Sequence, residues 1–395
     1  MSIPFRAEYD FLAPQRIVFG WGRRKDVGKL ARALGRRAFI IHGAAALETS
    51  GVLTELGDSL RKAEVEALFL GSIDHEPEVR DVDRMAGLLR DRGASAGDIV
   101  IGIGGGSAMD LAKASCAMAT NRESLTVRDY LEGVGSGLQL REDPLPFLAM
   151  PTTAGTGSEA TKNAVISSYD PPFKKSIRSD RMLARAVLID PELTVSVPPA
   201  TTAHTGMDAI TQLIESTISL RAAPIPQALS LQGLELAAPS IVRAVRDGSD
   251  RDAREKMAHA ALLSGLALAN SGLGLAHGVA AALGIHARVP HGLACAVMLP
   301  VALRVNGEVR QAEIGRVGEL LSGRTFSAAR DGAAAAIERI EELCEAVEIP
   351  RRLRDIGVRR EQLPAIVESS HGSSLSGNPR KLSDEELGRI LEAML

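Results

Sequence analysis

Asp98-Ile99-Val100-Ile101-Gly102-Ile103-Gly104-Gly105-Gly106-Ser107 decides how this chain is read. Four apolar β-branched residues within six positions make a strand buried on both faces. Three consecutive glycines then turn the chain into a helix running to about Ala119. A glycine turn at a helix N-terminus lets the backbone approach a phosphate, and the free N–H groups and positive dipole end attract it. The run lacks the GxGxxG spacing, so it is not an ordinary Rossmann fingerprint. A tight turn without a ligand is the plain alternative.

Working outward, the first half alternates short apolar runs with helical periodicity. Strands are expected at 16–20, 38–41, 65–70 and 145–149, and helices at 50–62 and 77–92, the latter with Val79, Val82, Met85, Ala86 and Leu89 on one face. This alternation predicts an α/β domain with a mostly parallel sheet over residues 1–190. Beyond Val187-Leu188-Ile189-Asp190-Pro191 the strand patterns largely disappear, and Pro198-Pro199 precedes a helix start. Residues 191–395 are therefore expected to form an all-α domain.

Composition narrows the function. The 395 residues are 45% hydrophobic and 24% charged, as in a globular protein with a sizeable core. A net charge of −3 with scattered lysines and arginines argues against a nucleic-acid partner. Three cysteines without a CxxC pair suit a reducing cytoplasm better than a disulfide framework. The opening MSIPFRAEYDFLAP is charged early and has no apolar core, so no secretory signal is expected. No Asp, Glu, Lys or Arg lies between Lys256 and Arg288. Histidines, Asn270 and many glycines in that segment favour buried core helices around a site over a membrane span.

Within this uncharged segment and just beyond it lie His277 and His291, each followed by glycine. Upstream, Asp208 sits in Gly206-Met207-Asp208-Ala209-Ile210-Thr211-Gln212, with His204 and Gln212 one turn to either side on the same helix face. A carboxylate and two imidazoles suit Zn2+ or Fe2+, and the pattern does not choose between them. Gln212 offers an amide oxygen, a weaker ligand. Each histidine alone reads more readily as a hydrogen-bonded core residue. The loop Pro151-Thr152-Thr153-Ala154-Gly155-Thr156-Gly157-Ser158-Glu159 is dense in hydroxyls and glycines, which suits either a cofactor-binding loop or a solvated turn.

Taken in order, GGGS, PTTAGTGSE, GMDA and two HG pairs resemble the iron-containing (group III) alcohol dehydrogenase superfamily, with its glycerol-dehydrogenase-like and maleylacetate-reductase-like relatives. The resemblance runs from Phe19-Gly20 to Gly377-Asn378-Pro379. It implies a dehydroquinate-synthase-like fold and hydride transfer between NAD(P)H and a small alcohol or carbonyl compound. Gly43, Gly104, Gly105, Gly106, Ser107 and Asp110 would lie at the cofactor, Thr152, Thr153 and Thr156 would line it, and Lys175 would reach its ribose. Asp208, His277 and His291, with Gln212 as a possible fourth donor, would hold the metal and carry catalysis. A homo-oligomer, a dimer for instance, is implied as well.

Three positions depart from the family pattern. Gln212 stands where many members carry a histidine ligand, which leaves Zn2+ and Fe2+ both open. Ala281 stands where many carry a proton-relay histidine, leaving His204, His286 or water. The second strand ends Ile41-His42-Gly43 without the aspartate that favours NAD, which predicts acceptance of NADP(H). Alternatives are a maleylacetate-reductase-like keto-acid reductase, favoured if Lys162 and Arg178 serve an anionic substrate, a dehydroquinate-synthase-like lyase, and an inert scaffold.

Overall fold

A computed structural model describes residues 8–43 and 46–395. The chain divides into two compact units. Of the described residues, one comprises 13–153 and 158–195; the other comprises 8–12, 154–157 and 196–395.

The first unit is built on a sheet of strands β1 (Ile17–Phe19), β2 (Arg37–His42), β3 (Glu66–Ser72), β4 (Ile99–Gly104), β5 (Phe147–Pro151) and, later in the chain, a short strand at Ala186–Ile189. Its helices are α1 (Val27–Leu34), α2 (Ala46–Thr49), α3 (Val52–Lys62), α4 (Val79–Asp91) and α5 (Gly106–Thr120). Between β5 and the last strand the chain makes an antiparallel hairpin, β6 (Asn163–Tyr169) and β7 (Pro172–Arg178), so Ala186–Ile189 is β8. The six-stranded sheet is parallel throughout, in the order β1-β8-β5-β4-β2-β3. Its central strands are buried end to end, which explains their continuous apolar character. After β3 the chain crosses back over β2 to lay down β4, so the strand order reverses between β2 and β4. Open parallel sheets take ligands at the carboxyl ends of the strands flanking such a reversal.

At that reversal Gly43 N donates to Ile103 O at 2.8 Å, and Gly104 has a φ of +153°. A Cβ on Gly104 would lie 2.7 Å from Ala108 Cβ and 2.8 Å from Gly43 N. The glycine is therefore required twice over, by its backbone angle and by the closeness of β2 and α5.

The hairpin was not evident in the sequence, and α5 holds it through buried polar groups. Asp110 accepts from Ser158 Oγ and, at 2.9 Å, from Val165 N. One turn on, the buried Lys113 ammonium donates to Ser158 O at 2.7 Å, Thr161 Oγ1 at 2.8 Å and Asn163 O at 2.5 Å. Burial pushes this amine below its usual range, against the pull of Asp110 and Glu159.

The second unit is helical: α6 (Pro199–Ile218), α7 (Pro224–Arg246), α8 (Arg251–Ser271), α9 (Leu275–Ala287), α10 (His291–Asn306), α11 (Gln311–Ser322), α12 (Ala329–Ala346), α13 (Leu363–Ser369) and α14 (Asp384–Ala393). The uncharged segment forms most of α8 and all of α9, which bend by 101° at their junction. Among the described residues no single helix is long and apolar enough to cross a membrane. Both helices are largely buried in this unit. The short run Ala154–Gly157 also belongs to it. Gly157 and Gly265 of α8 meet backbone to backbone, so that a Cβ on Gly157 would lie 2.4 Å from Gly265 Cα.

Glu159, buried beside the Lys113 anchor, is pushed up to about 7 by desolvation, against 4.5 in the open chain. An acid raised on folding costs stability as pH climbs, because the unfolded chain ionises first. The cost begins above pH 4.5 and is complete above about 7. Glu159→Gln is therefore expected to gain up to ~3 kcal/mol on the native protein between about pH 5 and about pH 8. Urea unfolding at both pH values measures it, and a pH-independent difference contradicts it.

Candidate functional site

Four donor groups converge inside the helical unit. Asp208 stands mid-way along α6, His277 in the first turn of α9, and His291 and Cys295 one turn apart at the start of α10. One ligand atom from each lies within 4.8 Å of the others. Asp208, His277 and Cys295 are buried and His291 is half-buried. Helix geometry brings α10 close enough: a Cβ on Gly292 would lie 2.4 Å from His204 O on α6. The glycine after His291 is thus a packing requirement that lets the imidazole reach Asp208.

A further carboxylate organises the set. Glu215 follows Asp208 by seven residues, two turns along the same face of α6. Its Oε2 is 2.7 Å from His277 Nδ1 and accepts from Gly274 N at 3.0 Å, while Oε1 accepts from Ala276 N at 2.7 Å. Asn378 Oδ1 accepts from Leu275 N at 3.0 Å. The amides at the start of α9, which lack intrahelical acceptors, are thereby satisfied by α6 and the C-terminal segment. With Nδ1 facing Glu215, His277 turns Nε2 towards Asp208 Oδ1, 3.1 Å away. A carboxylate behind an imidazole in this way fixes the tautomer that presents Nε2 to a cation.

The electrostatics favour positive charge at the centre. Burial opposes a charged His277, yet Cys295, Asp208 and Glu215 together hold it well above its usual range. Burial opposes a charged Asp208 too, and His277 and His291 outweigh it, so this carboxyl lies below its usual range. Burial pushes the Cys295 thiol up to about 12. Two carboxylates, two imidazoles and a thiol in an enclosed site suit a divalent cation.

The other positions read from sequence are distributed as follows. Gln212 is buried, but its amide oxygen accepts a 2.6 Å hydrogen bond from Ser264 Oγ on α8. His204 is half-buried on α6, and burial lowers its pKa. His286 does not belong to the site. It sits in the last turn of α9, nine residues from His277 and so about 13 Å along the axis, with Nε2 2.7 Å from Ser369 Oγ. Lys162 and Arg178 each pair with an exposed carboxylate at 2.8 Å, Asp180 and Glu132 respectively.

In the α/β unit, Gly104, Gly105, Gly106 and Ser107 form the β4–α5 turn, and Gly105 caps α5 with no side-chain hydrogen bond. Thr152 N donates to Gly104 O at 2.9 Å, and Thr153 packs beside Gly105. Asp110 has one oxygen engaged by Val165 of the hairpin and the other by Ser158 in the turn before it. Lys175 lies on β7 opposite Ile166, and Thr156 lies in the Ala154–Gly157 run of the helical unit. At the end of β2, His42 is buried with Nδ1 2.9 Å from Gly43 O and Nε2 3.8 Å from Glu48.

A parallel sheet with this reversal suits a nucleotide, and the helical unit brings together four groups that could hold a metal ion. Comparison with known proteins agrees. The sequence model of iron-containing alcohol dehydrogenase matches residues 14–191, and that of the Fe-containing alcohol dehydrogenase family's C-terminal part matches 202–395. A 1,3-propanediol dehydrogenase from Klebsiella pneumoniae is 34% identical over 389 residues, covering 97% of each chain. A solved 1,3-propanediol oxidoreductase superposes with a TM-score of 0.91 at 32% identity, over 98% of this chain and 100% of its own. A sulfoacetaldehyde reductase from Bifidobacterium kashiwanohense, solved with NAD+, gives 0.85 at 30% identity, over 98% and 99%. The chain belongs to the iron-containing alcohol dehydrogenase family and is an oxidoreductase acting on CH–OH groups.

Glu215→Ala removes the acceptor for the Gly274 and Ala276 amides at the start of α9 and for His277. A loss of about 2–4 kcal/mol in unfolding free energy is expected from urea titration. A loss under about 1 kcal/mol would show that this carboxylate does not hold α9.

Proposed function

We propose that this protein is a metal-dependent, NAD(P)-linked alcohol dehydrogenase or aldehyde reductase, with the metal held by Asp208, His277 and His291. The observation that carries this reading is the convergence of those three buried or half-buried side chains, with Glu215 fixing His277 from behind. Once bound, a divalent cation polarises the substrate oxygen and the nicotinamide carries the hydride. The chain's own part is to preorganise. Glu215 holds the His277 Nδ1 proton, leaving Nε2 to face the site. The enclosing helices exclude water, which strengthens every charge interaction there. His204, kept neutral by partial burial one turn before Asp208, is the residue we assign to proton transfer in place of the family's histidine at position 281.

The cofactor's pyrophosphate is assigned to Gly104, Gly105, Gly106 and Ser107. The strand-order reversal and the open N-terminus of α5 support this. Gly43, Thr152, Thr153, Thr156 and Lys175 are assigned to the rest of the cofactor. Asp110 serves it indirectly, through the hairpin. Because β2 ends in His42, followed by Gly43, with no acid there, both NADH and NADPH are accepted. The substrate is a small alcohol or aldehyde. The buried, unlinked cysteines suit a cytoplasmic setting, and we assign a homodimer.

Two measurements test this reading. Asp208→Ala is expected to lose bound metal and to lower kcat/KM for aldehyde reduction by about 10³-fold, roughly 4 kcal/mol. Retention of both would remove Asp208 from the site. Comparing KM for NADPH and NADH across an aldehyde panel should give similar values. A strong preference for NADH would overturn dual use, and the absence of net turnover would favour the lyase or the inert scaffold.

A further inference from the structure

We propose that Cys295 is a fourth protein ligand to the metal, in place of Gln212, and that its thiolate biases the site towards zinc over ferrous iron. The inference rests on the reading that Asp208, His277 and His291 bind a metal.

Geometry supports it first. Tetrahedral coordination, at about 2.0 Å to nitrogen or oxygen and about 2.3 Å to sulfur, sets neighbouring donors about 3.3–3.5 Å apart. His291 Nε2 and Cys295 Sγ are 3.7 Å apart, and His277 Nε2 and Asp208 Oδ1 are 3.1 Å apart. The remaining pairs fall within 4.8 Å. Small rotations of side chains already in contact would complete the set. Cys295 Sγ also lies within 4.8 Å of a ligand atom of both His277 and Asp208, so it faces the cluster.

Gln212 is placed differently. It occupies the helical position one turn after Asp208, but its amide oxygen is used by Ser264 Oγ at 2.6 Å. Ligation by Gln212 would have to share that oxygen with the Ser264 hydroxyl or give up the bond, leaving the hydroxyl to its other acceptor, Ala261 O. Cys295 breaks no comparable bond.

The chemistry is a simple exchange. The thiol S–H bond breaks, a metal–sulfur bond forms, and the proton leaves to solvent with no change in oxidation state. Sulfur is the soft donor of the set, and soft thiolates favour zinc over ferrous or manganous ions. The other cysteines do not compete: Cys116 lies in the α/β unit, and Cys344 contacts Ala296 O from α12.

Cobalt(II) titration of the chelator-stripped full chain tests this, because a cobalt–thiolate bond adds a near-ultraviolet charge-transfer band absent from nitrogen and oxygen sites. The band is expected in the native protein and in Gln212→Ala. Cys295→Ser should lose it while keeping visible d–d absorption, and its zinc affinity should fall by at least about tenfold, with less loss for ferrous iron. Cobalt bound by the native protein without the band would overturn the role of Cys295 and leave the metal site standing. So would a band that survives in Cys295→Ser. No cobalt binding by the native protein would overturn the metal reading and this inference together. The native spectrum decides without relying on the folding of any variant.

Discussion

The buried carboxylate of Glu215 is the interaction on which the candidate site depends. It ends three hydrogen bonds, one from the amide of Gly274 just before α9, one from Ala276 in its first turn and one from His277. A helix N-terminus concentrates partial positive charge, and an acid placed there is stabilised while it satisfies donors that the helix cannot. The same group therefore sets where α9 begins and which way its first histidine points. Asp208 leaves α6 two turns earlier on the same face, so one helix supplies both the residue facing the cluster and the residue behind it. The orientation of His277 is thereby tied to the backbone of two helices and not to a side-chain contact alone.

The α/β unit solves a similar problem with the opposite charge. Lys113 delivers an ammonium to main-chain carbonyls of the segment after β5, and Asp110 one turn before it takes a backbone amide from the hairpin. A buried lysine is costly unless its donors are satisfied, and here three oxygens lie within hydrogen-bond reach at good distances. The turn between β4 and α5 is consequently held from both ends: by the tight approach of Gly43 to Gly104, and by the anchored face of α5 further along.

Much of this was legible in sequence where the signal was local. The apolar run before Gly104, the proline pair before α6 and the paired HG motifs each carry their own periodicity or turn chemistry. Asp208, His277 and His291 could be singled out because a buried acid and two histidines stand out in apolar surroundings. Glu215 carried a weaker signal of the same kind, an acid two turns after Asp208 in an uncharged stretch, and it was missed because a glutamate on a helix more often faces water. Cys295 was read for its oxidation chemistry and not for its position one turn after His291. The anchoring role of Lys113 was not legible, since it depends on contacts between residues about fifty positions apart. His286 was the reverse case: the right residue type, carried to the wrong end of α9 by the helical rise.

The four residues Ala154–Gly157 carry a consequence for dissecting the protein. They belong to the helical unit although the α/β unit precedes and follows them in the chain, and Gly157 rests on Gly265. The helical unit is therefore not a continuous stretch of polypeptide. A fragment beginning at residue 196 would carry α8 with the bed for that loop exposed, and a fragment ending at 195 would carry the loop with nothing to lie on. The residues of the α/β unit have all been made by position 195, whereas the helical unit must keep its early run 154–157 in reserve until α8 follows.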